Sequence, residues 1–422
     1  MPHSDKGLFY LERVAYLISH EVGTIEERRQ CAVAAMNFLQ DIKCFDTPHW
    51  DILNEASGLQ IDKPHHVPSN NASPDYDAQL LRKVISHKFG EAQYFLQNKR
   101  VTRDRYYRQL EETIKFLILC KNFKGVEELE QRIQNIVNFP ELTVKEQEAC
   151  RRIRVLVAAS FYMQKKFFKC CQYFFKWLSI DPDLLNTPPI PARNVLLTDK
   201  EINLMITISC LISIPLESYN DFIYLREAVP FFEHFPLCLR SLRLLLNTSF
   251  NKFFSLWQGN EIAEECLQSP YLVDAWPFAQ LVMRSKIYYF YFKVSCEIQI
   301  GYLSRTLGIE EKTIREDVEL LIESANLNIV IRGDTLCESQ CRRLEDIVVQ
   351  LQRNEREIDR RIQEKRQKVL ELENKAEGII VNNDTVNRST LPNSVSSDND
   401  TMDLNDLTNV SDTDSFAFDG TS

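Results

Sequence analysis

The chain has 422 residues, of which 44% are hydrophobic and 26% are charged, as in an ordinary folded protein of roughly two or three domains. Glycine is scarce, with 11 residues, whereas an average protein contains about 7%. This scarcity disfavours dinucleotide-binding folds, propellers and β-sandwiches, because their tight turns and phosphate loops need glycine. The composition therefore predicts a mostly α-helical protein.

The formal net charge of −10 is distributed unevenly. Residues 379–422 contain eight aspartates and one arginine, so they hold seven of the ten negative charges. We interpret this segment as a disordered acidic tail. Ser397 and Ser411 each precede an aspartate by three residues, which makes them candidate phosphorylation sites for an acidophilic kinase. The rest of the chain is nearly neutral and does not indicate a nucleic-acid or membrane surface.

The twelve cysteines are scattered, form no CxxC motif, and mostly lie in apolar stretches. This pattern is typical of buried free thiols in a reducing compartment. Glu12 and Arg13 interrupt the apolar run near the start, so it does not resemble a secretory leader. Residues 202–216 form the longest nearly uncharged run, which is shorter than the ~18 residues of a membrane span. We expect the protein in the cytoplasm and the nucleus.

Residues 1–180 have the spacing of paired helices and predict a helical-repeat, TPR-like solenoid. Two helices are predicted over residues 8–40, and Thr24 with Glu27 forms a capping box for the second. Residues 61–74 are polar and contain prolines, which indicates an exposed loop. No strict 34-residue repeat is visible. Further helices are predicted at 76–97, 103–120, 124–138, 143–163 and 165–179.

Residues 181–198 are rich in proline and predict a linker, because proline cannot continue a helix. A second helical region follows over residues 199–280. Five helices are predicted within it, at 199–213, 219–229, 236–247, 249–257 and 260–267. A sixth helix is predicted at 276–292 and continues into the next region.

Residues 281–337 have the outline of a winged helix. A strand is predicted at 295–300 and a short helix at 302–307. Thr313 and Glu316 are predicted to cap a longer helix, which leads into a strand at 328–332 and a turn at Gly333. The apolar positions predicted to form the core of this module are Leu303, Leu307, Ile314, Val318, Leu321, Ile322, Leu327, Ile329 and Ile331.

Residues 338–378 carry a heptad pattern with polar interruptions at Glu355 and Lys365. A helix of this length extends about 60 Å, too far to dock entirely on a small domain. We therefore expect an intermolecular helical bundle, although a solvent-exposed or intramolecular helix remains open. The predicted interface residues are Leu344, Val348, Leu351, Ile358, Ile362, Val369 and Leu372.

Signatures of catalysis are absent from the sequence. No HxH, HExxH, GxxxxGK[ST], GxGxxG or GxSxG motif occurs, and the seven histidines have no metal-ligand spacing. The adjacent pair His65–His66 lies in a polar loop and predicts an exposed pair. We therefore predict no catalytic, metal or cofactor site, although residues brought together only by folding are invisible at this level.

The longer helix of the winged helix disfavours nucleic-acid binding. Between Glu310 and Glu323 the chain has six acidic and two basic residues. Phosphates supply most of the affinity for such helices, and they are repelled by negative charge. A protein-binding role for the module is favoured, and a nucleic-acid-binding winged-helix protein remains the alternative from another class.

Residues 300–336 (IGYLSRTLGIEEKTIREDVELLIESANLNIVIRGDTL) resemble the winged helix of the PCI family. This family includes subunits of the proteasome lid, the signalosome and the translation-initiation factor assembly. Segments upstream are similar to the family's helices at Pro236, at Ser249–Phe250, at Arg284 and at Tyr289–Phe290. The wing strand departs from the pattern, since Arg332 follows Ile331 and the aspartate is displaced to Asp334.

The resemblance implies a non-catalytic scaffold subunit of a signalosome-type complex. Such a complex removes a ubiquitin-like modifier from cullins through a separate metalloprotease subunit. The winged helix is expected to pair through the strand at 328–332 with other PCI subunits. Contact with the metalloprotease subunit and with cullins is also expected. A proteasome-lid subunit and an initiation-factor subunit remain alternatives within the same class.

Overall fold

The computed structural model describes residues 9–63, 76–97, 106–136, 142–186, 196–325, 327–338, 356 and 358–370. The described residues are mostly α-helical with one small sheet, which confirms the predicted fold class. They fall into two compact units, one within Met1–Tyr291 and Gly301–Asp317 and the other within Phe292–Ile300 and Val318–Ser422. The predictions for His65–His66, for the acidic tail and for Ser397 and Ser411 lie outside the described residues.

The first region contains nine helices among its described residues. The capping box of the second helix is confirmed, because Thr24 accepts a hydrogen bond from the Glu27 backbone and the Glu27 carboxylate accepts one from the Thr24 backbone. The nine are α1 (Tyr10–Ser19), α2 (Ile25–Asp41), α3 (Trp50–Ser57), α4 (Tyr76–Ile85), α5 (Phe89–Gln97), α6 (Tyr106–Leu119), α7 (Phe123–Ile136), α8 (Val144–Met163) and α9 (Phe167–Ile180).

The single helix predicted for 76–97 is wrong, because the chain breaks between α4 and α5. His87 has a φ of 53°. Its N–H and that of Lys88 return to the carbonyls of Val84 and Lys83, the double hydrogen bond of a Schellman helix end. Six helix ends, including this one, have this arrangement, and in each a residue other than glycine adopts the left-handed conformation. These residues are Glu21, Lys43, His87, Lys121, Lys165 and Thr248.

The predicted linker at 181–198 lies between helices that pack against each other. Helix α10 (Asp199–Ser213) contacts α9 and α8, and the Cys171 and Cys210 Sγ atoms are 3.8 Å apart in this interface. Seven of the eleven described cysteines are buried, and all eleven are free thiols. The prediction of buried free thiols is therefore confirmed for most described cysteines.

Short helices follow α10, and two predicted elements differ from the structure. The helix predicted for 219–229 ends at Tyr224 and gives way to a 3₁₀ turn before the next helix. The helix predicted for 260–267 begins as a π-helical turn, Asn260–Glu264. The α-helices of this region are α11 (Tyr219–Tyr224), α12 (Val229–His234), α13 (Pro236–Leu246), α14 (Phe250–Trp257), α15 (Glu265–Gln268) and α16 (Trp276–Val294).

The order of the next elements is that of a winged helix. The three strands form an antiparallel sheet in the order β1-β3-β2, in which Ile298 and Ile331 both pair with Leu336. The third strand was not predicted, and it extends one residue into the segment assigned to the C-terminal helix. The elements are β1 (Glu297–Gln299), α17 (Ile300–Leu307), α18 (Glu311–Ala325), β2 (Ile329–Arg332) and β3 (Thr335–Glu338).

The predicted cap of α18 is wrong. Thr313 is the third residue of this helix, and the carbonyl of Glu310 accepts the hydrogen bond of Ile314. Acidic side chains at Glu310 and Glu311 favour the earlier start, because the first N–H groups of a helix carry partial positive charge. The last described helix, α19, covers residues 358–370.

No single helix among the described residues is long and apolar enough to cross a membrane. Two consecutive helical segments reach that length and hydropathy only when they are taken together, and their axes are bent by 109° at the break between them. These segments are Asp199–Ser213 and Leu216–Tyr224.

Candidate interaction surfaces

Helix α19 presents an apolar stripe to solvent. Every residue from 358 to 370 is exposed. Ile358, Ile362 and Val369 follow helical spacing, and 58%, 44% and 53% of their surfaces are exposed. The described chain therefore leaves this stripe uncovered. The other predicted interface residues, Leu344, Val348, Leu351 and Leu372, lie outside the described residues.

The polar surface of α19 is positively charged. It carries five basic and two acidic residues. One pair is connected across a helical turn, since the Arg360 Nη1 lies 3.0 Å from the Glu364 Oε1. A helix that packs on the apolar stripe would therefore gain from acidic residues at its flanks.

Strand β2 lies at one edge of the three-stranded sheet. It pairs with β3 on one side, and among the described residues no strand pairs with its other side. Val330 is exposed, whereas Ile329 and Ile331 are half-buried. An open edge of this kind offers backbone donors and acceptors to an added strand.

The residues predicted to form the winged-helix core differ in burial. Four are fully buried, namely Leu303, Leu307, Ile314 and Val318. The other five are half-buried: Leu321, Ile322, Leu327, Ile329 and Ile331. Leu336 and Ile298, which were not predicted as core residues, are buried in the sheet.

A buried ion pair joins α16 to α18. The Nε and Nη2 atoms of Arg284 donate to the two carboxylate oxygens of Asp317 at 2.6 and 3.0 Å. The Tyr288 hydroxyl donates to the same carboxylate at 3.1 Å. This carboxylate keeps the pKa of Arg284 above its usual value although burial alone would lower it. Such a bidentate arrangement fixes the two helices in position.

Asp317 is one of the six acidic residues from which a negative surface was predicted for the longer helix of the winged helix. Its position in the structure removes it from that surface. It is buried and neutralised by Arg284, so it contributes little to the surface potential. The other five acidic residues are exposed: Glu310, Glu311, Glu316, Glu319 and Glu323. The exposed surface of α18 therefore still carries net negative charge.

A second cation of α16, Lys286, binds the C-terminal end of α10. Its Nζ donates to the carbonyls of Leu211 at 2.8 Å and Ile212 at 3.1 Å and to that of Ile214. The Tyr219 hydroxyl lies 2.8 Å away. Burial lowers the pKa of Lys286 to about 7. The contacts satisfy carbonyls that the helix end leaves without intrahelical partners.

The first helix is anchored to α10 by a network around Glu201. Arg13 Nη1 donates to the Glu201 carboxylate at 2.9 Å, and its Nη2 donates to the Leu196 carbonyl at 2.6 Å. The Ser269 hydroxyl also donates to Glu201. Burial raises the pKa of this carboxyl, but its hydrogen bonds and the charge of Arg13 have the larger, opposite effect. The pKa of Glu201 is therefore lower than usual.

Glu12 of α1, His49 and His87 form a second cluster of polar side chains. The Glu12 carboxylate lies 3.1 Å from His49 Nε2 and 2.6 Å from His87 Nε2, one oxygen to each ring. Burial raises the pKa of Glu12, but the two histidines lower it to about 2 overall. This cluster was not predicted, because 37 and 75 residues separate the histidines from Glu12 and no local motif joins them.

Cys170 and Cys150 do not supply a nucleophile at neutral pH. Burial raises the pKa of Cys170 to about 12 and that of Cys150 to about 11. A reactive cysteine needs a lowered pKa, because the thiolate is the nucleophile.

The chain consists of a long helical region followed by the elements of a winged helix. Together with the open strand edge and the uncovered apolar stripe, this defines a protein of the helical-repeat and winged-helix class that offers surfaces to other proteins. Two family models match the chain. The CSN11 N-terminal domain covers residues 1–280, and the CSN11 C-terminal domain covers residues 297–419. The chain belongs to the CSN11 family.

Curated relatives agree with this assignment. The chain is 34% identical to the Cop9 signalosome complex subunit 11 of Saccharomyces cerevisiae, over 99% of this chain and 100% of that protein. It is 28% identical to the COP9 signalosome complex subunit 11 of Candida glabrata, over 95% of each chain. The protein of the same name from Eremothecium gossypii is 29% identical over 82% of each. These matches confirm the resemblance to a diverged signalosome subunit, and the relatives that match are named as subunit 11 of that complex.

Proposed function

We propose that this chain is a non-catalytic scaffold subunit of a COP9 signalosome complex. The observation that supports it most is the match of 34% identity along almost the whole length of a protein named as subunit 11 of that complex. A relationship of this extent covers the helical region, the winged-helix elements and the C-terminal segment together.

The two exposed surfaces give the scaffold role a physical basis. The stripe of Ile358, Ile362 and Val369 enters a helical bundle formed with other subunits, where burial of these side chains stabilises the assembly. The open edge of β2 pairs with a strand of a neighbouring subunit. Neither contact requires a reacting group on this chain.

Within the complex, the chain supports a reaction that another subunit performs. By its resemblance to the PCI family, the complex removes a ubiquitin-like modifier from cullins through a metalloprotease subunit. This chain has no HxH motif for such a metal site. Its place of action is the cytoplasm and the nucleus, with the other PCI subunits, the metalloprotease subunit and cullins as partners.

The alternatives are separated by what the chain binds. A proteasome-lid subunit would purify with proteasome particles, and an initiation-factor subunit with ribosomal particles. A nucleic-acid-binding protein would show salt-dependent binding to duplex DNA. The family assignment and the negative surface of α18 favour none of these.

The test is affinity purification of the tagged full-length chain, followed by identification of the proteins bound to it. The Ile358→Glu/Ile362→Glu variant charges the apolar stripe of α19. The matched control, Gln363→Glu/Gln367→Glu, adds the same charge with the same spacing on the opposite face of the helix.

We expect the wild type and the control to recover the other signalosome subunits, and the stripe variant to lose them while it remains folded by circular dichroism. Recovery of proteasomal or ribosomal proteins would reject the signalosome assignment. Equal recovery by all three proteins would reject the role of the stripe.

A further inference from the structure

We propose that Glu12, His49 and His87 form a binding site for a divalent transition-metal ion, with Zn²⁺ as the preferred ion. One ligand atom from each of the three side chains lies within 4.8 Å of the other two. Two imidazole nitrogens and one carboxylate oxygen are a ligand set that Zn²⁺ uses in proteins. This site is independent of the surfaces that support the scaffold role.

The distances within the cluster are close to those of a coordinated ion. Zinc bonds of about 2.0–2.1 Å in tetrahedral geometry place ligand atoms about 3.4 Å apart. Glu12 Oε2 lies 3.1 Å from His49 Nε2, and Glu12 Oε1 lies 2.6 Å from His87 Nε2. Because each ring meets a different carboxylate oxygen, coordination through one of these oxygens needs a small rotation of the Glu12 carboxylate together with a widening of these contacts.

Each ligand is held by the backbone or by its neighbours before any ion binds. Glu12 lies in the first turn of α1, and His49 directly precedes α3. His87 is fixed in the Schellman end of α4, and its ring stacks on Phe89 with the centroids 4.8 Å apart. Ligands positioned on three elements lose little conformational freedom when they coordinate an ion.

The cluster is also accessible and suitably charged. The side chains of His49, Glu12 and His87 are 20%, 23% and 30% exposed, so an ion can enter from solvent. With neutral imidazoles the set carries one negative charge. Lys88, which follows His87 in the chain, is paired with Asp46 at 3.1 Å and so adds no net charge beside the set. Three protein ligands leave a fourth position for water, as in other sites with three ligands.

The experiment is a calorimetric titration of Zn²⁺ into the purified full-length chain, in wild type and in His49→Ala, His87→Ala and Glu12→Gln variants. His20→Ala is the matched control, because His20 is exposed at the end of the same helix α1. Glu12→Gln keeps the size of the side chain and removes its charge, which tests the site if a histidine variant fails to fold.

We expect one Zn²⁺ per chain, with the dissociation constant raised at least about tenfold in each of the three site variants. His20→Ala should change it by less than about twofold. Absence of Zn²⁺ binding in the wild type would overturn the proposal. A dissociation constant that is unchanged in all three site variants would also overturn it, and loss of binding in His65→Ala/His66→Ala would then place the ion at that pair instead.

A second measurement needs no variant. Co²⁺ bound at this site should give the intense visible absorption of four- or five-coordinate cobalt, and an equimolar amount of Zn²⁺ should remove it. The weak absorption of six-coordinate cobalt, or no saturable spectrum, would contradict a site with three protein ligands.

Discussion

Helices α18 and α19 carry the same kind of apolar periodicity and lie in opposite environments. In α18, Ile314 and Val318 are completely buried. In α19, Ile358 and Ile362 have the same spacing and remain exposed. Periodicity therefore establishes that a helix has an apolar face, but it does not establish whether that face is covered by the same chain or by a partner.

Ion pairs on the same two helices show the same contrast. Asp317 of α18 pairs with Arg284 in the interior, where both side chains are at most 15% exposed. Glu364 of α19 pairs with Arg360 at the surface, where both are more than half exposed. A charge pair in the interior fixes geometry, whereas one in solvent contributes little.

The largest expected effect concerns these two pairs. Asp317→Asn should lower the free energy of unfolding by about 3–5 kcal/mol, because it leaves the Arg284 guanidinium buried without its countercharge. Glu364→Gln should change it by less than about 0.5 kcal/mol. Urea denaturation of the full-length chain measures both, and similar losses in the two variants would contradict the contrast.

A second comparison concerns the apolar stripes. Ile314→Ala should cost about 2–4 kcal/mol, because it leaves a cavity in a closed core. Ile358→Ala should remain within about 0.5 kcal/mol in the isolated chain, since the side chain is already in solvent. If Ile358→Ala proved as costly as Ile314→Ala, the stripe of α19 would be covered by this chain itself.

A third prediction uses pH to examine a buried pair. The pKa of Glu201 is lowered in the folded protein, so its ionised form stabilises the fold above the ordinary carboxyl pKa, and this contribution is lost as the pH falls below it. The wild type should therefore lose about 1–2 kcal/mol more stability than Glu201→Gln between pH 5 and pH 3. Parallel pH profiles of the two proteins would show that the Arg13–Glu201 pair adds no stability.

The smallest expected effect concerns the helix ends. Lys43 is exposed and has a φ of 52° at the end of α2. Lys43→Gly should raise the free energy of unfolding by up to about 1 kcal/mol, because glycine adopts this conformation without strain. Lys43→Ala is the control, since it removes the same side chain and keeps the strain. A thermal melt that ranks alanine above glycine would contradict this explanation.

Local sequence signals were sufficient for most elements. The capping box of Thr24 with Glu27 was predicted because its hydrogen bonds lie within one turn. The break between α4 and α5 was missed because its left-handed residue is His87, whereas the usual sequence signal for such a helix end is glycine. The pairing of β3 was missed because a four-residue strand has no pattern of its own apart from its partners.

The sites could be predicted only in part. The apolar stripe of α19 was visible in the heptads, because helical spacing is a property of neighbouring residues. The pair of Arg284 with Asp317 and the cluster around Glu12 were not visible, because their members are 33 to 75 residues apart. Asp317 even counted as surface charge until its burial was known.

The sequence by itself determined the helical class, the positions of most helices and the faces that are apolar, because these depend on contacts within a few residues. Only the tertiary structure decided which apolar faces are covered, which charges are neutralised, and that Glu12, His49 and His87 meet at one point. The physical reason is that burial and long-range pairing depend on how the helices pack, and one helix does not encode the surface of its neighbour.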